Sequence, residues 1–273
     1  MASLLTIEES LCTHCGQCAA VCPMALVRVG KRGPRTVPDA EEKCVLCGHC
    51  IAACPAKALQ HSSLPAEETL PLADDWRGSP EALEKLVKGR RSIRHYQDTP
   101  VDRSILESIL DMARYAPTGM NAQPVCWLVV YDAGEVKKLA GGVIDWMRSL
   151  AQKGELVSGW YNPAPLIAGW DAGVDTILRG CPHLLIAHAP RENVMSRDSC
   201  VIAMTTAELA AVPFGLGACW AGFLQVATFN SPEVRQLVNL PQGHLLYGAL
   251  MIGYPQETYY RIPPRKPLTA EWR

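Results

Sequence analysis

The segment CTHCGQCAAVCP at residues 12–23 is repeated as CVLCGHCIAACP at residues 44–55. Every cysteine and the closing proline of the second copy follow those of the first by 32 positions. Each copy has the pattern Cys-x2-Cys-x2-Cys-x3-Cys-Pro, in which three closely spaced thiolates can bind three irons of one 4Fe-4S cubane. The fourth cysteine, followed by proline, is directed toward the other cluster.

This crossover predicts two 4Fe-4S ligand sets, each with three cysteines from one copy and one from the other. The first set is Cys12, Cys15, Cys18 and Cys54, and the second is Cys44, Cys47, Cys50 and Cys22. The competing interpretation is a pair of structural zinc sites built from the same CxxC pairs, but zinc explains neither the third CxxC step nor the Cys-Pro endings. The region resembles the bacterial two-cluster ferredoxins over about residues 5–60.

Composition restricts the functional classes. The 273 residues, 48% of them hydrophobic, suffice for two compact domains with a sizeable core. The 26 basic and 27 acidic residues are spread along the chain, which argues against a nucleic-acid or anionic-lipid partner. Most of the 12 cysteines fall in the two repeats, and the N-terminal MASLLTIEES lacks the order of a signal peptide. We therefore expect a reducing, cytoplasmic location.

One apolar stretch, Val201 to Leu224, is long enough to span a bilayer. Glu208, Pro213 and three glycines interrupt it, and a charge at mid-span is costly in hydrocarbon. We predict a buried helix from Cys200 to about Val212, followed by a glycine-rich turn and a strand, with no membrane association.

The pattern divides the chain into a two-cluster domain at residues 1–60, a linker at 61–79 and a larger domain at 80–273. Ser79 and Pro80 predict the start of a helix that reaches Gly89, and a second helix is predicted from about Val101 to Ala116-Pro117. Residues 154–182, rich in Gly, Pro and Trp, are predicted to form an irregular loop. Strands are predicted at 125–131, 184–189, 218–224 and 245–253, which with the helices gives an α+β architecture.

Two cationic segments lie far apart in the sequence. Arg90-Arg91-Ser92-Ile93-Arg94 offers three guanidinium groups and a hydroxyl, and guanidinium binds phosphate oxygens in a bidentate manner. The second segment is Arg261-Ile262-Pro263-Pro264-Arg265-Lys266. Taken alone, each is more often a solvated surface run, but together they predict one phosphate-binding site.

Two further segments are suited to a planar heterocycle. APTGMNAQP at residues 116–124 joins the second helix to a strand and carries small residues and amides that can hydrogen-bond a ring edge. GLGACWAG at residues 215–222 has glycines that permit close backbone approach, and its amides could point at a flavin ring.

These four segments, in this order, resemble the nitroreductase family of FMN enzymes over about residues 80–273, and the full chain resembles the ferredoxin-fused nitroreductases. The resemblance implies a mixed sheet flanked by helices and an obligate homodimer with FMN in the interface. It assigns the FMN phosphate and nearby polar groups to the two cationic segments, one flavin contact to the 116–124 loop of the neighbouring subunit, and flavin N5 to a backbone amide of residues 219–222. The implied cofactor-binding residues are Arg90, Arg91, Ser92, Arg94, Pro117, Thr118, Gly119, Asn121, Cys219, Trp220, Ala221, Gly222, Arg265 and Lys266.

The expected activity is reduction of a small electrophilic acceptor, such as a nitroaromatic, an activated alkene, a quinone or a halogenated aromatic, by hydride from FMN. The external electron donor is a ferredoxin, a flavodoxin or NAD(P)H. Two alternatives stay open: an electron carrier between protein partners, and an NAD(P)H oxidoreductase that passes electrons outward through the clusters. No catalytic side chain is assigned.

Four cysteines and two histidines lie outside the motifs. Cys126, Cys181, Cys200 and Cys219 show no ligand spacing and have apolar neighbours, so we predict buried packing roles for them. His183 and His188 fall in or beside a predicted strand, where a core or interface role is expected.

Overall fold

The computed structural model describes residues 3–273, so residues 1 and 2 of the predicted first domain lie outside the described range. The chain forms two compact units. The first contains residues 3–77 and Met120–Ala122, and the second contains Gly78–Gly119 and Gln123–Arg273.

The first unit is built from short elements around the cysteine repeats. They are β1 (Leu5–Ile7), α1 (Gln17–Ala20), β2 (Val27–Gly30), β3 (Gly33–Thr36), α2 (Ala40–Lys43), α3 (His49–Ala52) and β4 (Leu59–His61), followed by a 3-10 turn at Ala66–Glu68. β1 pairs antiparallel with β4, and β2 with β3.

The two repeats fold alike. α1 and α3 occupy the same position in their motifs, and each follows a glycine in the left-handed region, Gly16 at φ 78° and Gly48 at φ 68°. A glycine is suited to both positions because this backbone conformation is costly for other residues. The sequence repeat is therefore also a structural repeat.

The second unit contains four strands that are separated in the sequence by helices. Its elements are α4 (Pro80–Gly89), α5 (Arg103–Ala113), β5 (Cys126–Val130), α6 (Ala133–Gln152), α7 (Ala164–Asp171), β6 (His183–Pro190), α8 (Ser196–Ala211), β7 (Gly217–Trp220), α9 (Gly222–Asn230), α10 (Pro232–Val238) and β8 (His244–Gly253), with 3-10 turns at Gly119–Asn121 and Val212–Phe214.

The four strands form one sheet in the order β5-β6-β8-β7. All three strand pairs are antiparallel, and an isolated parallel bridge joins Ser92 to Ala218 of β7, which gives the sheet its mixed character. The β6–β8 ladder shifts register between Ala187 and His188.

Both faces of this sheet are covered. Along β6, Leu184 and Ile186 pack into one core cluster with residues of α6 and α9, whereas Leu185 and Ala187 pack into another with residues of α5 and α8. Because successive strand residues point to opposite faces, a strand buried on both sides reads as a continuous apolar run. This explains the sequence LLIAHA in β6.

The predicted helix starts are confirmed by their caps. The Ser79 hydroxyl accepts a hydrogen bond from Ala82 N at 3.1 Å at the start of α4. α5 begins at Arg103, slightly later than predicted, because the Asp102 carboxylate accepts from Ser104 N at 2.8 Å and caps the helix there.

Two predicted boundaries were wrong. The strand expected at 218–224 ends at Trp220, and α9 begins at Gly222, so its last residues are helical. The irregular loop expected at 154–182 contains α7, whose mostly apolar sequence APLIAGWD lacks a clear helical period. The apolar stretch from Val201 forms most of α8, as predicted. Among residues 3–273, no helix combines the length and hydrophobicity needed to cross a membrane.

Candidate functional site

The eight repeat cysteines of the first unit line two separate cavities. One is lined by Cys12, Cys15, Cys18 and Cys54, and the other by Cys22, Cys44, Cys47 and Cys50. In each cavity three cysteines come from one repeat and the fourth from the other repeat. Apolar side chains complete both linings, Val29 and Leu59 in the first and Leu26 and Val27 in the second.

The two cysteines that cross over accept equivalent hydrogen bonds. Leu26 N donates to Cys22 Sγ and Ala58 N donates to Cys54 Sγ, both at 3.3 Å and both from four residues further along the chain. An amide aimed at sulfur stabilises the negative charge of a thiolate or of a cluster sulfur. Four converging thiols in an apolar cavity with such amides fit a 4Fe-4S cluster.

His61 adds a side-chain contact to the second cavity. Ser63 N donates to His61 Nδ1 at 3.1 Å, so the proton of the neutral ring lies on Nε2, which is 3.5 Å from Cys44 Sγ. His61 is therefore a hydrogen-bond donor to a predicted ligand. Burial lowers the pKa of this histidine, which favours the neutral ring.

In the second unit, the Arg90–Arg94 segment lies beside β7. Ile93 N donates to Ala218 O at 3.1 Å, and the buried Tyr96 hydroxyl is 2.7 Å from Ile93 O. Gly217 permits this contact, because a Cβ at that position would overlap the Ile93 side chain. Two of the four segments predicted to form one site, 90–94 and 215–222, are thus adjacent.

The Arg91 side chain has unused donors. Its Nη1 donates to Lys88 O at 2.9 Å and to Arg90 O at 2.6 Å. Its Nε and Nη2 are buried and have no hydrogen-bond partner among residues 3–273. Buried donors without partners are costly, and adjacent Nε and Nη2 groups match two oxygens of a phosphate. This orphaned pair fits the phosphate of FMN.

Arg90 is committed to an internal ion pair. Its Nη1 lies 2.8 Å from Oε1 of Glu208 in α8, whose side chain is only 9% exposed. Glu208 is the charge that interrupts the apolar stretch in the sequence, and Arg90 is the reason that it can be buried. This pairing leaves Arg91 as the arginine with free donors at this point.

Arg94 borders a cleft of about 590 Å³, a volume typical of ligand sites. Lys137 of α6 and Arg179 also line it, and Asp175 in its wall accepts from the backbone N–H groups of Ile177, Leu178 and Gly180. The cleft is therefore cationic. Burial raises the pKa of the nearby Cys219 thiol, and the charges of Arg94 and Arg179 oppose this rise.

The remaining predicted FMN residues occupy three places. In the 116–124 loop, Thr118 Oγ1 accepts from Gln123 N at 3.0 Å, and Asn121, which belongs to the first unit, donates to Val45 O and Leu46 O at 3.0 Å. Gly222 begins α9 with open space at its Cβ position. Arg265 and Lys266 lie in the exposed segment after β8, where no hydrogen bond or ion pair within residues 3–273 joins them to Arg90–Arg94.

The prediction of buried packing roles holds for Cys181, Cys200 and Cys219 and is wrong for Cys126, which is exposed. Cys126 is the first residue of β5, an edge strand, so its apolar neighbours in sequence do not enclose it. The core role of His183 is confirmed: it is buried, its Nε2 accepts from Val101 N at 2.8 Å, and its Nδ1 is 2.6 Å from Tyr131 O.

Arg179 and Lys137 line the cleft although no sequence motif contains them. Neither belongs to a cationic run, and only the packing of α6 and of the segment before β6 brings them to Arg94. The one available signal was the position of Arg179-Gly180 in the loop shortly before the strand predicted at 184–189, because binding residues are often carried by loops.

The family model described as the nitroreductase family matches residues 87–254, and the model described as a 4Fe-4S dicluster domain matches residues 11–58. The chain is 27% identical over 186 residues to the FMN reductase (NAD(P)H) of Bacillus subtilis, covering 66% of this chain and 68% of that protein. It is 29% identical over 189 residues to the iodotyrosine deiodinase of Thermotoga neapolitana, covering 66% and 92%. A solved nitroreductase with bound FMN from Bacteroides fragilis aligns with a TM-score of 0.56 at 23% identity, covering 70% of this chain and 96% of that one.

Proposed function

The chain belongs to the nitroreductase family, an oxidoreductase family, and we propose that it is an FMN-dependent reductase that receives electrons through two 4Fe-4S clusters. Its acceptor is a small electrophile such as a nitroaromatic, an activated alkene or a quinone. The observation that carries the proposal is the division of eight cysteines between two cavities, in a chain where the buried Nε and Nη2 donors of Arg91 have no partner among residues 3–273.

FMN supplies the chemistry that links single-electron donors to a two-electron acceptor, because it takes up electrons singly and releases a pair as hydride. The protein's residues would position FMN and stabilise its negative charge. Arg91 Nε and Nη2 would hold the phosphate, and Arg94 and Arg179 would place positive charge at the flavin, which favours its reduced, anionic forms. Glu208 holds the Arg90 side chain in place and neutralises one of the positive charges of the Arg90–Arg94 segment.

The backbone around β7 and α9 would approach the ring. Gly222 stands at the start of α9 with no neighbouring atom within 4 Å of its Cβ position. A backbone N–H at a helix start has no partner inside the helix, so it is available to a ring nitrogen or oxygen. Cys219, Trp220 and Ala221 lead into this position.

We also propose a homodimer. No residue of α4 is buried, and its apolar face exposes Leu83 by 60% and Val87 by 51%. An amphipathic helix gains little from folding unless this face is covered. A second copy of the chain is the proposed cover, and Leu83→Glu should shift the sedimentation coefficient toward that of a monomer.

The first test is anaerobic purification followed by quantification of iron, sulfide and flavin. We expect about eight irons and one FMN per chain, all reducible by a low-potential donor. Cys22→Ser and Cys54→Ser should each disturb a different cluster, as seen by electron paramagnetic resonance. Zinc in place of iron would refute the relay, and absence of flavin would refute the reductase.

A second candidate is an NAD(P)H oxidoreductase that passes electrons outward through the clusters. NAD(P)H is part of the name of the Bacillus subtilis relative, which favours this direction. Anaerobic assays with NADH, NADPH and reduced ferredoxin as separate donors distinguish the two. Flavin reduction by ferredoxin alone supports the first proposal, and reduction by NAD(P)H alone supports the second.

A further inference from the structure

Three strands of the second unit bring a thiol and two imidazoles together, away from the cationic cleft. Cys126, the first residue of β5, pairs directly with His188 of β6. His244, the first residue of β8, pairs with Pro190, two positions beyond His188. Directly paired residues share a face of the sheet, and so do residues two apart on one strand. The three side chains therefore lie on the same face.

Their donor atoms are close. The Nδ1 atoms of His188 and His244 are 2.9 Å apart, and one donor atom from each of the three residues lies within 4.8 Å of the others. His188 is buried, His244 is half-buried and Cys126 is exposed. The group is thus anchored in the sheet on one side and open to solvent on the other.

We propose that Cys126, His188 and His244 bind one transition-metal ion of the zinc class, with solvent as the fourth ligand. One thiolate and two imidazoles form a donor set that zinc prefers, whereas Mg²⁺ and Ca²⁺ require oxygen ligands. A tetrahedral zinc ion would hold these donors about 3.3–3.6 Å apart. The imidazoles need to open by only a few tenths of an ångström, and the exposed thiol can rotate toward them.

A hydrogen bond between the two imidazoles is the simpler use of the same contact. It involves only His188 and His244, and it gives no role to the thiol placed opposite His188. The register shift between Ala187 and His188 belongs to the same place, because it changes which residue of β8 lies beside His188. Such a bulge re-aims a side chain, here toward the start of β8. The ion would tie together β5, β6 and β8 at one end of the sheet.

The test titrates Zn²⁺ into the anaerobically purified full chain with its iron and flavin content measured before and after. Wild type should bind one zinc per chain without loss of iron. Cys126→Ala and His244→Gln should each weaken binding by at least about 100-fold, the upper range for perturbing even an indirect contact of a zinc site. His95→Gln, which removes an exposed histidine of the same unit, should bind zinc as wild type does.

Zinc-edge X-ray absorption supplies a second readout. The proposal requires one sulfur and two imidazole nitrogens around zinc, and Cys126→His should retain binding with the sulfur lost. A shell of four sulfurs would place the metal in the cluster cysteines and overturn the proposal. Absence of zinc binding by wild type, or unchanged affinity in both Cys126→Ala and His244→Gln, would overturn it as well.

Discussion

At the scale of single residues, Arg91 is the sharpest test of the phosphate site. Its Nε and Nη2 have no partner within residues 3–273. An anion that accepts from both therefore removes the free-energy cost of burying two unsatisfied donors. Arg91→Gln should weaken FMN binding by at least about 100-fold, since each of the two charge-assisted hydrogen bonds contributes roughly 1.5–3 kcal/mol. Fluorescence titration of the apoprotein measures this.

The matched control is Arg114→Gln, because Arg114 is exposed and, in the described part of the chain, its guanidinium pairs only with Asp111 of the same helix and the adjacent Tyr115. Equal losses in the two variants would show that general charge, and not the orphaned donors, determines FMN affinity.

His61 should tune one cluster and not the other. Its Nε2–H donates to Cys44 Sγ, and a hydrogen bond to a ligand sulfur stabilises the reduced, more negative cluster. His61→Phe should lower the potential of the cluster held by Cys22, Cys44, Cys47 and Cys50 by about 20–60 mV, the equivalent of one hydrogen bond. A redox titration followed by electron paramagnetic resonance measures both potentials, and the other cluster is the internal control.

His183 makes the stability of the second unit sensitive to acid. Burial lowers its pKa, and its Nε2 accepts from Val101 N, so protonation removes that hydrogen bond. The folded-state pKa lies below the unfolded value of about 6.5, so the unfolded chain binds the proton more readily. This contribution to stability is complete above about pH 6.5 and falls below it by at most about 1.4 kcal/mol per pH unit.

His183→Phe should remove this acid sensitivity and cost about 2–4 kcal/mol near neutral pH, because Val101 N–H and Tyr131 C=O lose their partner. Thermal unfolding followed by tryptophan fluorescence between pH 7.5 and 5.5 compares the variant with wild type and with His95→Gln. An unchanged slope against pH in His183→Phe would assign the acid sensitivity to other groups.

At the scale of elements, a helix or strand boundary could be predicted where neighbouring residues in the sequence cause it. Ser79-Pro80 predicted the start of α4 through a cap that is visible in the sequence, whereas the Asp102 cap that sets the start of α5 was not predicted. The end of β7 at Trp220 has no such signal, because the continuous apolar run LGACWAGFL at residues 216–224 is compatible with a buried strand and with a buried helix. That boundary is set by the neighbouring strand β8. Ala221 N donates to Ala249 O of β8 at 2.8 Å, and α9 starts directly afterwards.

The site divides in the same way. The cluster cysteines and Arg91 were predicted because motifs that are local in the sequence contain them. Arg179 and the thiol-imidazole group of Cys126, His188 and His244 were not predicted, since their neighbours in the structure are far away in the sequence. Pairing and register bring these residues together, and neither can be read from one segment alone.

Two glycines of the β7–α9 connection should respond differently to substitution. A Cβ at Gly217 would overlap Ile93, so Gly217→Ala should lower the melting temperature by displacing the Arg90–Arg94 segment. A Cβ at Gly222 meets open space, so Gly222→Ala should fold as wild type but bind FMN more weakly if the flavin lies there.

Gly89→Ala, where a Cβ also meets open space at the end of α4, is the control for a harmless methyl group. Wild-type FMN affinity in Gly222→Ala would exclude close approach of the flavin to the start of α9.

At the scale of the whole molecule, the two units divide the work. The first contains two sets of four thiols, and the second contains the cationic cleft and the segments predicted to bind FMN. In the proposed electron path, one-electron donors supply the clusters of the first unit and a two-electron acceptor is reduced at the second, so both units are required. Fusion in one chain keeps the effective concentration of one partner for the other high.

The triple variant Cys12→Ser, Cys15→Ser, Cys18→Ser tests this division. It removes three ligands of one cluster and leaves the cleft of the second unit untouched. FMN content should stay at the wild-type level, because no FMN residue has changed. Turnover with reduced ferredoxin should be lost, while direct chemical reduction of the flavin persists. Undiminished turnover with ferredoxin would mean that electrons enter the flavin directly, and the two-cluster unit would then need another role. Loss of FMN would instead show that the first unit supports the fold of the second.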